Sequence, residues 1–67
     1  MSVAKVTEIT ASSSKSFEDA VRLGINRAAK TLDKVQSAWI QDHEVVVKGA
    51  KITEYRVRMR VTFILKD

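Results

Sequence analysis

The sequence predicts an α+β fold, a β-α-β-β protomer in which one helix lies across a face of a three-stranded antiparallel sheet. Three observations predict it. The closing stretch from Glu54 to Leu65 alternates apolar and mostly cationic residues with a period of two. Phe17 to Leu32 repeats apolar and small residues with a period near 3.6. Between the helix and the closing stretch, Lys48-Gly49-Ala50-Lys51 punctuates two segments of strand character.

Val3 to Thr10 reads as the first strand. Val3, Lys5, Thr7 and Ile9 share one face, and Ala4, Val6, Glu8 and Thr10 share the other. Val6 and Ile9 fall on opposite faces, so both sides of this strand ask for cover. Ala11 to Lys15 reads as a polar loop. Ser16 fits a helix N-cap, with Asp19 three residues on to complete an approximate capping box. Glu18 and Asp19 lie in the first turn and Lys30 and Lys34 near the far end, the polarity that the helix dipole favours.

The apolar stripe runs through Phe17, Ala20, Val21, Gly24, Ala28, Leu32 and Val35, and the opposite face carries Glu18, Arg22, Asn26 and Lys30. Gly24 costs the helix about 1 kcal/mol relative to alanine. With Ala20 and Ala28 it makes a ridge of small side chains, which predicts close approach of helix to sheet. Gln36 to Val47 reads as the second strand, with Ser37, Trp39 and Gln41 facing one way and Ala38, Ile40 and Asp42 the other. Gly49 supplies a turn position free to take positive φ. The hairpin and the crossover helix then place the third strand centrally, antiparallel to a strand on either side.

The third strand is long, and its length matters more than its charges. Tyr55, Val57, Met59, Val61, Phe63 and Leu65 form one face; Arg56, Arg58, Arg60 and Thr62 lie on the other. From Tyr55 to Leu65 it spans about 36 Å, against about 24 Å for the helix. Part of the apolar face overhangs anything this chain can pack on it, and another copy is the simplest cover.

Sixty-seven residues form a single domain, 1–67, of a size that usually needs a disulfide, a metal or oligomerisation. The chain has no cysteine and one histidine, which argues against disulfides and a zinc-type site and leaves self-association. No apolar run reaches the roughly 18 residues of a membrane span, and no signal-peptide pattern opens the chain. A soluble cytoplasmic protein is the expectation.

Catalysis has little to work with, since nucleophile elbow, phosphate loop, dinucleotide fingerprint and metalloprotease helix are all missing. In Asp42-His43-Glu44 the imidazole points away from the two carboxylates, so the three cannot share one centre. Asp42 and Glu44 share a face and could contribute to a hard-cation site, but two carboxylates are a weak signal. His43 reads as a solvated residue. The net charge of +4 favours an anionic partner without choosing one. Arg56, Arg58 and Arg60 repeat about every 7 Å, close to the spacing of phosphates along a nucleic-acid strand. Three readings stand: ion pairs with Glu8, Asp42 or Glu44 across strands or subunits, a small anionic ligand such as a nucleotide or coenzyme A, and nucleic acid. The last has the least support, because stacking aromatics are few. Trp39 fits either an interface anchor or a stacking plate for a planar ligand.

The whole chain resembles the dodecin family. The likeness rests on Val3-Ala4-Lys5-Val6-Thr7-Glu8-Ile9, Ser16-Phe17-Glu18-Asp19-Ala20, Asn26-Arg27-Ala28-Ala29-Lys30-Thr31-Leu32, Tyr55-Arg56-Val57 and Val61-Thr62-Phe63-Ile64-Leu65. It implies a dodecin-like protomer whose three-stranded antiparallel sheet wraps around the helix, assembled as a hollow homododecamer built from trimers, with no turnover, that binds and sequesters flavin (flavin mononucleotide, riboflavin or FAD) in the cytoplasm. In flavin-binding members a tryptophan early in the second strand stacks on the isoalloxazine. A glutamine after the aromatic residue of the third strand bonds the ring edge. Ser37 and Arg56 hold those two positions here, and Trp39 lies two residues beyond Ser37 on the same face. A flavin between Ser37 and Arg56 loses stacking worth about 1–3 kcal/mol per plate.

Overall fold

The closing strand organises the molecule, because it is the strand with a neighbour on each side. The computed structural model describes residues 3–65, in the order β1 (Ala4–Ser13), α1 (Phe17–Thr31), β2 (Val35–Lys48) and β3 (Lys51–Ile64). The sheet order is β1-β3-β2, with both outer strands antiparallel to β3. This is the predicted architecture. The alternation along β3 sorts its side chains: Val57, Met59 and Val61 are fully buried beneath the helix, while Arg58 and Arg60 are exposed on the other side.

The core is small. Ala20, Val57 and Met59 form its centre, with Ile9, Ala11, Phe17, Val21, Ile25 and Ile40 packed around them. Burying each large apolar side chain stabilises the fold by about 1.5–3 kcal/mol. The small-residue ridge does what its spacing predicts, since Ala20, Gly24 and Ala28 are the buried residues of α1. A Cβ on Gly24 would collide with Met59 Cε and stand 3.0 Å from Ala11 Cβ. Glycine lets the helix sit directly on β1 and β3.

Ser16 is the N-cap, accepting from Asp19 N–H at 3.0 Å. The other half of the expected capping box is absent. The Asp19 carboxylate instead accepts from Ser13 Oγ at 2.6 Å and pairs with Arg22. At the far end the helix stops at Thr31 with Leu32 as C-cap, and Val35 belongs to β2 rather than to the helical stripe.

Two boundaries and one register differ from the sequence reading. β1 runs through Ser13, so most of the expected loop is strand. Ala11, Ser12 and Ser13 continue the ladder opposite Val57, Arg56 and Tyr55, because β3 extends far enough to template them. β3 itself begins at Lys51, which shrinks the turn to Gly49 and Ala50. Both have positive φ, 57° and 65°, as a hairpin loop twisted to match its strands requires. β2 is not regular, having register shifts between Val35 and Ser37, Ile40 and Asp42, and Val46 and Val47. The second moves Asp42 to the face of Trp39, opposite to the strict alternation expected, because Gln41 is an extra residue in the strand.

The β2–β3 hairpin projects beyond the helix. Fifteen helical residues cover about 22 Å, whereas the molecule is 51 Å long and 19 by 13 Å across. Its radius of gyration is 13.7 Å, against about 11 Å for a compact domain of this length. Val45, Val47 and Ile52 are exposed on the projecting arm.

Candidate functional site

The outer face of the sheet is built in rows. β-pairing sets Val6, Thr62 and Ser37 in one row, then Glu8, Arg60 and Trp39, then Thr10, Arg58 and Asp42, then Ser12, Arg56 and Glu44. Rows are two residues apart along a strand, about 7 Å.

Each β3 arginine meets a carboxylate on a neighbouring strand. Arg60 Nε stands 3.8 Å from Glu8 Oε2, and Arg58 Nη1 stands 3.6 Å from Asp42 Oδ2. Arg56 is the most heavily engaged. It donates through Nη1 to Glu44 Oε1 and through Nε to Ser12 Oγ, both at 3.4 Å, with Glu54 Oε1 at 4.0 Å from Nη2. The ion-pair reading of the three arginines therefore holds, with the partners Glu8, Asp42 and Glu44 foreseen. All these side chains are substantially exposed, so each pair contributes about 0–1 kcal/mol. Electrically the consequence is larger: among the described residues three guanidinium groups share a face with four carboxylates, which balance them.

The residues proposed around a flavin do not converge within one protomer. Ser37 and Trp39 occupy adjacent rows, but Arg56 lies two rows past Trp39, about 13 Å along the strand. A site using both ends of this series needs residues from more than one copy. Trp39 is 65% exposed and lines an open cleft of about 260 Å³ with Ile40, Gln41 and Arg60.

His43 lies on the opposite, helix-facing side, opposite Val57. Its ring meets Phe17 edge-on at 4.8 Å, and Phe17 meets Tyr55 at 5.2 Å. His43 is thus an exposed residue that also closes an aromatic corner. Its separation from Asp42 and Glu44 is as the alternation predicts. Among the described residues, no group of three or more His, Cys, Asp or Glu side chains is placed to hold a metal ion.

Two features escaped the sequence reading. A larger cleft of about 490 Å³ runs between α1 and β1, lined by Ile9, Ala11, Leu23, Ala28 and Leu32 with Arg27 at its rim. No sequence pattern marks it, since it depends on how the helix is seated. The Gln41 bulge had a signal: pairing Asp42 with Arg58 while Trp39 faces Arg60 requires one extra residue between them. A second polar cluster closes the helix start, where Lys15 N–H donates to Ser13 Oγ at 2.9 Å. The Ser13 hydroxyl, then Arg22, hold Asp19 below its ordinary pKa of 3.8.

The model of the dodecin family matches residues 3–66. The chain belongs to the dodecin family. The calcium dodecin of Mycobacterium tuberculosis is 30% identical over 66 residues, covering 98% of this chain and 93% of that protein. Among solved structures, the dodecin from Streptomyces davaonensis superposes with a TM-score of 0.95 at 29% identity, over 98% of this chain and 97% of that one. The M. tuberculosis calcium dodecin, a calcium-chelating antigen with a novel calcium-binding site, gives 0.85 at 28% identity, over 96% and 91%. Against these dodecins the β-α-β-β order and the antiparallel sheet wrapped on one helix are the shared fold. No described helix is long and apolar enough to cross a membrane.

Proposed function

We propose that this dodecin is a non-catalytic, self-assembling binding and storage protein, closed into a cytoplasmic shell of twelve copies that sequesters a small ligand. The apolar arm carries this reading. Val45, Val47 and Ile52 project past the helix and are only partly covered by the described residues of their own protomer, and exposed apolar surface of this kind marks a protein contact. Mass photometry of the dilute protein is expected to report a particle of about twelve chains. A lone chain of 7.5 kDa removes the reading.

Flavin is the ligand that family membership puts first. Ser37 and Arg56 predict that it binds here without its stacking plate and is held weakly. Restoring the family pattern with Ser37→Trp and Arg56→Gln is expected to tighten riboflavin by about 5- to 150-fold, the equivalent of 1–3 kcal/mol of stacking. Quenching of flavin fluorescence reads it. Equal quenching by parent and double variant would show that flavin does not sit between these positions.

Calcium is the second reading, supported by the name of the M. tuberculosis relative. Asp42 and Glu44 share the outer face, but each already faces an arginine, so binding would have to displace a guanidinium. Metal analysis of dialysed protein distinguishes the two ligands. A nucleic-acid role has the least support, because the carboxylates balance the arginine face.

A further inference from the structure

We infer that Trp39, Gln41 and Arg60 form a ligand site of their own, shaped for a small planar aromatic carboxylate of one or two rings. The site rests on the proposed function only in treating the protein as a ligand binder. It lies within one protomer and does not need the shell.

Three observations lead there. Trp39 and Arg60 are direct cross-strand partners, so an exposed aromatic plate and a cationic fork stand side by side, with Cβ atoms about 5 Å apart. Gln41 lines the same cleft and is the bulge residue, with no partner in the β3 register. Bulges re-aim side chains in this way, and an amide offers both a donor and an acceptor. Arg60 is also the member of the arginine series beside an aromatic. Its carboxylate neighbour, at 3.8 Å from Nε, is beyond hydrogen-bond range. Arg56, by contrast, already donates to Ser12 and Glu44.

Each feature selects part of the ligand. The indole favours a flat aromatic ring, since stacking tolerates any π-face. The guanidinium fork matches a planar carboxylate. Glu8 beside Arg60 penalises a doubly charged phosphate more than a single carboxylate. The cleft, at about 260 Å³, is smaller than the roughly 300–1,000 Å³ of drug-sized sites, which limits the ring system.

Trp39 is the chain's single tryptophan, so its emission reports the site directly. The ligand-free assembled protein is expected to emit as a solvent-exposed indole that acrylamide quenches. A blue-shifted, protected emission would mean that another copy fills the cleft, and would overturn the proposal. Titration with nicotinate should quench Trp39 more strongly than titration with nicotinamide, its uncharged counterpart. Arg60→Gln should weaken nicotinate by about tenfold or more and leave nicotinamide unchanged. Trp39→Leu should abolish both signals in ligand-observed saturation-transfer NMR. Equal response to the two ligands, or unaltered nicotinate binding by Arg60→Gln, overturns it. A shell that ignores nicotinate refutes the cleft and keeps the assembly; a monomer that binds it does the reverse.

Discussion

Asp19 ties the start of the helix to the end of β1, and its electrostatics set an acid limit on that junction. Its carboxyl is held below 3.8 by the Ser13 hydroxyl first and Arg22 second. A depressed folded pKa stabilises the protein above the unfolded value and ceases to do so as pH falls through the folded one. The contribution is therefore constant from neutral pH to about 5 and is lost progressively as the pH falls below about 4 and through the folded pKa. Ser13→Ala removes the main cause. Its unfolding curves should lose less stability than the parent between about pH 4 and 2; parallel curves would contradict the assignment. Ala50 is a second point of strain, at φ 65°, where an L residue costs about 1–2 kcal/mol and Asn costs less. Ala50→Asn should raise stability by about 0.5–1 kcal/mol, seen as a higher urea midpoint. At this scale the legible residues were those whose chemistry announces a role: the Ser16 cap, the Gly49 turn and the arginine partners. Ala50 escaped because nothing in its side chain marks a left-handed backbone.

The helix and sheet meet through a contact that tolerates no extra atom. Gly24→Ala would gain about 1 kcal/mol of helix propensity, but overpacking a filled core costs about 1–3 kcal/mol. Met59 is a flexible side chain, yet it is completely buried and has little room to retreat. Ala11 belongs to a strand paired with Val57 and yields only if the backbone moves. The expected net effect is a loss of about 1 kcal/mol, read by thermal or denaturant unfolding; a stabilised variant would show that the helix can lift off the sheet freely. The ridge at Ala20, Gly24 and Ala28 was legible because spacing alone determines it. Strand ends and bulges were less so. Polarity is no guide at the end of β1, where Ser12 and Ser13 look like loop residues yet follow a long partner strand. Gln41 is likewise polar and inconspicuous, and its displacement emerges only once opposite charges on two strands are made to face each other.

Across the whole molecule, the mismatch between strand and helix lengths is the dominant physical fact. The alternation from Tyr55 to Leu65 announced a strand longer than the helix but misplaced the overhang, since Val57, Met59 and Val61 are buried and the projecting apolar arm is Val45, Val47 and Ile52, before that stretch. What the sequence did not display was how little core remains: among the described residues, the buried apolar side chains are Ala20, Ala28, Val57, Met59 and Val61. Such a core gives only a small margin against chain entropy, so folding and association should be linked. Anything that binds the folded chain stabilises it by mass action, and in the proposed shell the binding partner is another copy. Two measurements follow from that linkage. The thermal midpoint should rise with protein concentration wherever dissociation and unfolding occur together. Val47→Glu with Ile52→Glu, a cross-strand pair on the projecting arm, should place like charges where copies meet and lower both the particle mass and the midpoint. In an isolated protomer the same two positions are about half exposed, and surface changes there shift stability by about 0.5 kcal/mol or less, apart from the mutual repulsion of the new pair. A dilute double variant of unchanged mass and midpoint would mean that the arm is solvated in the native protein, and that the core of a single copy suffices to hold it folded.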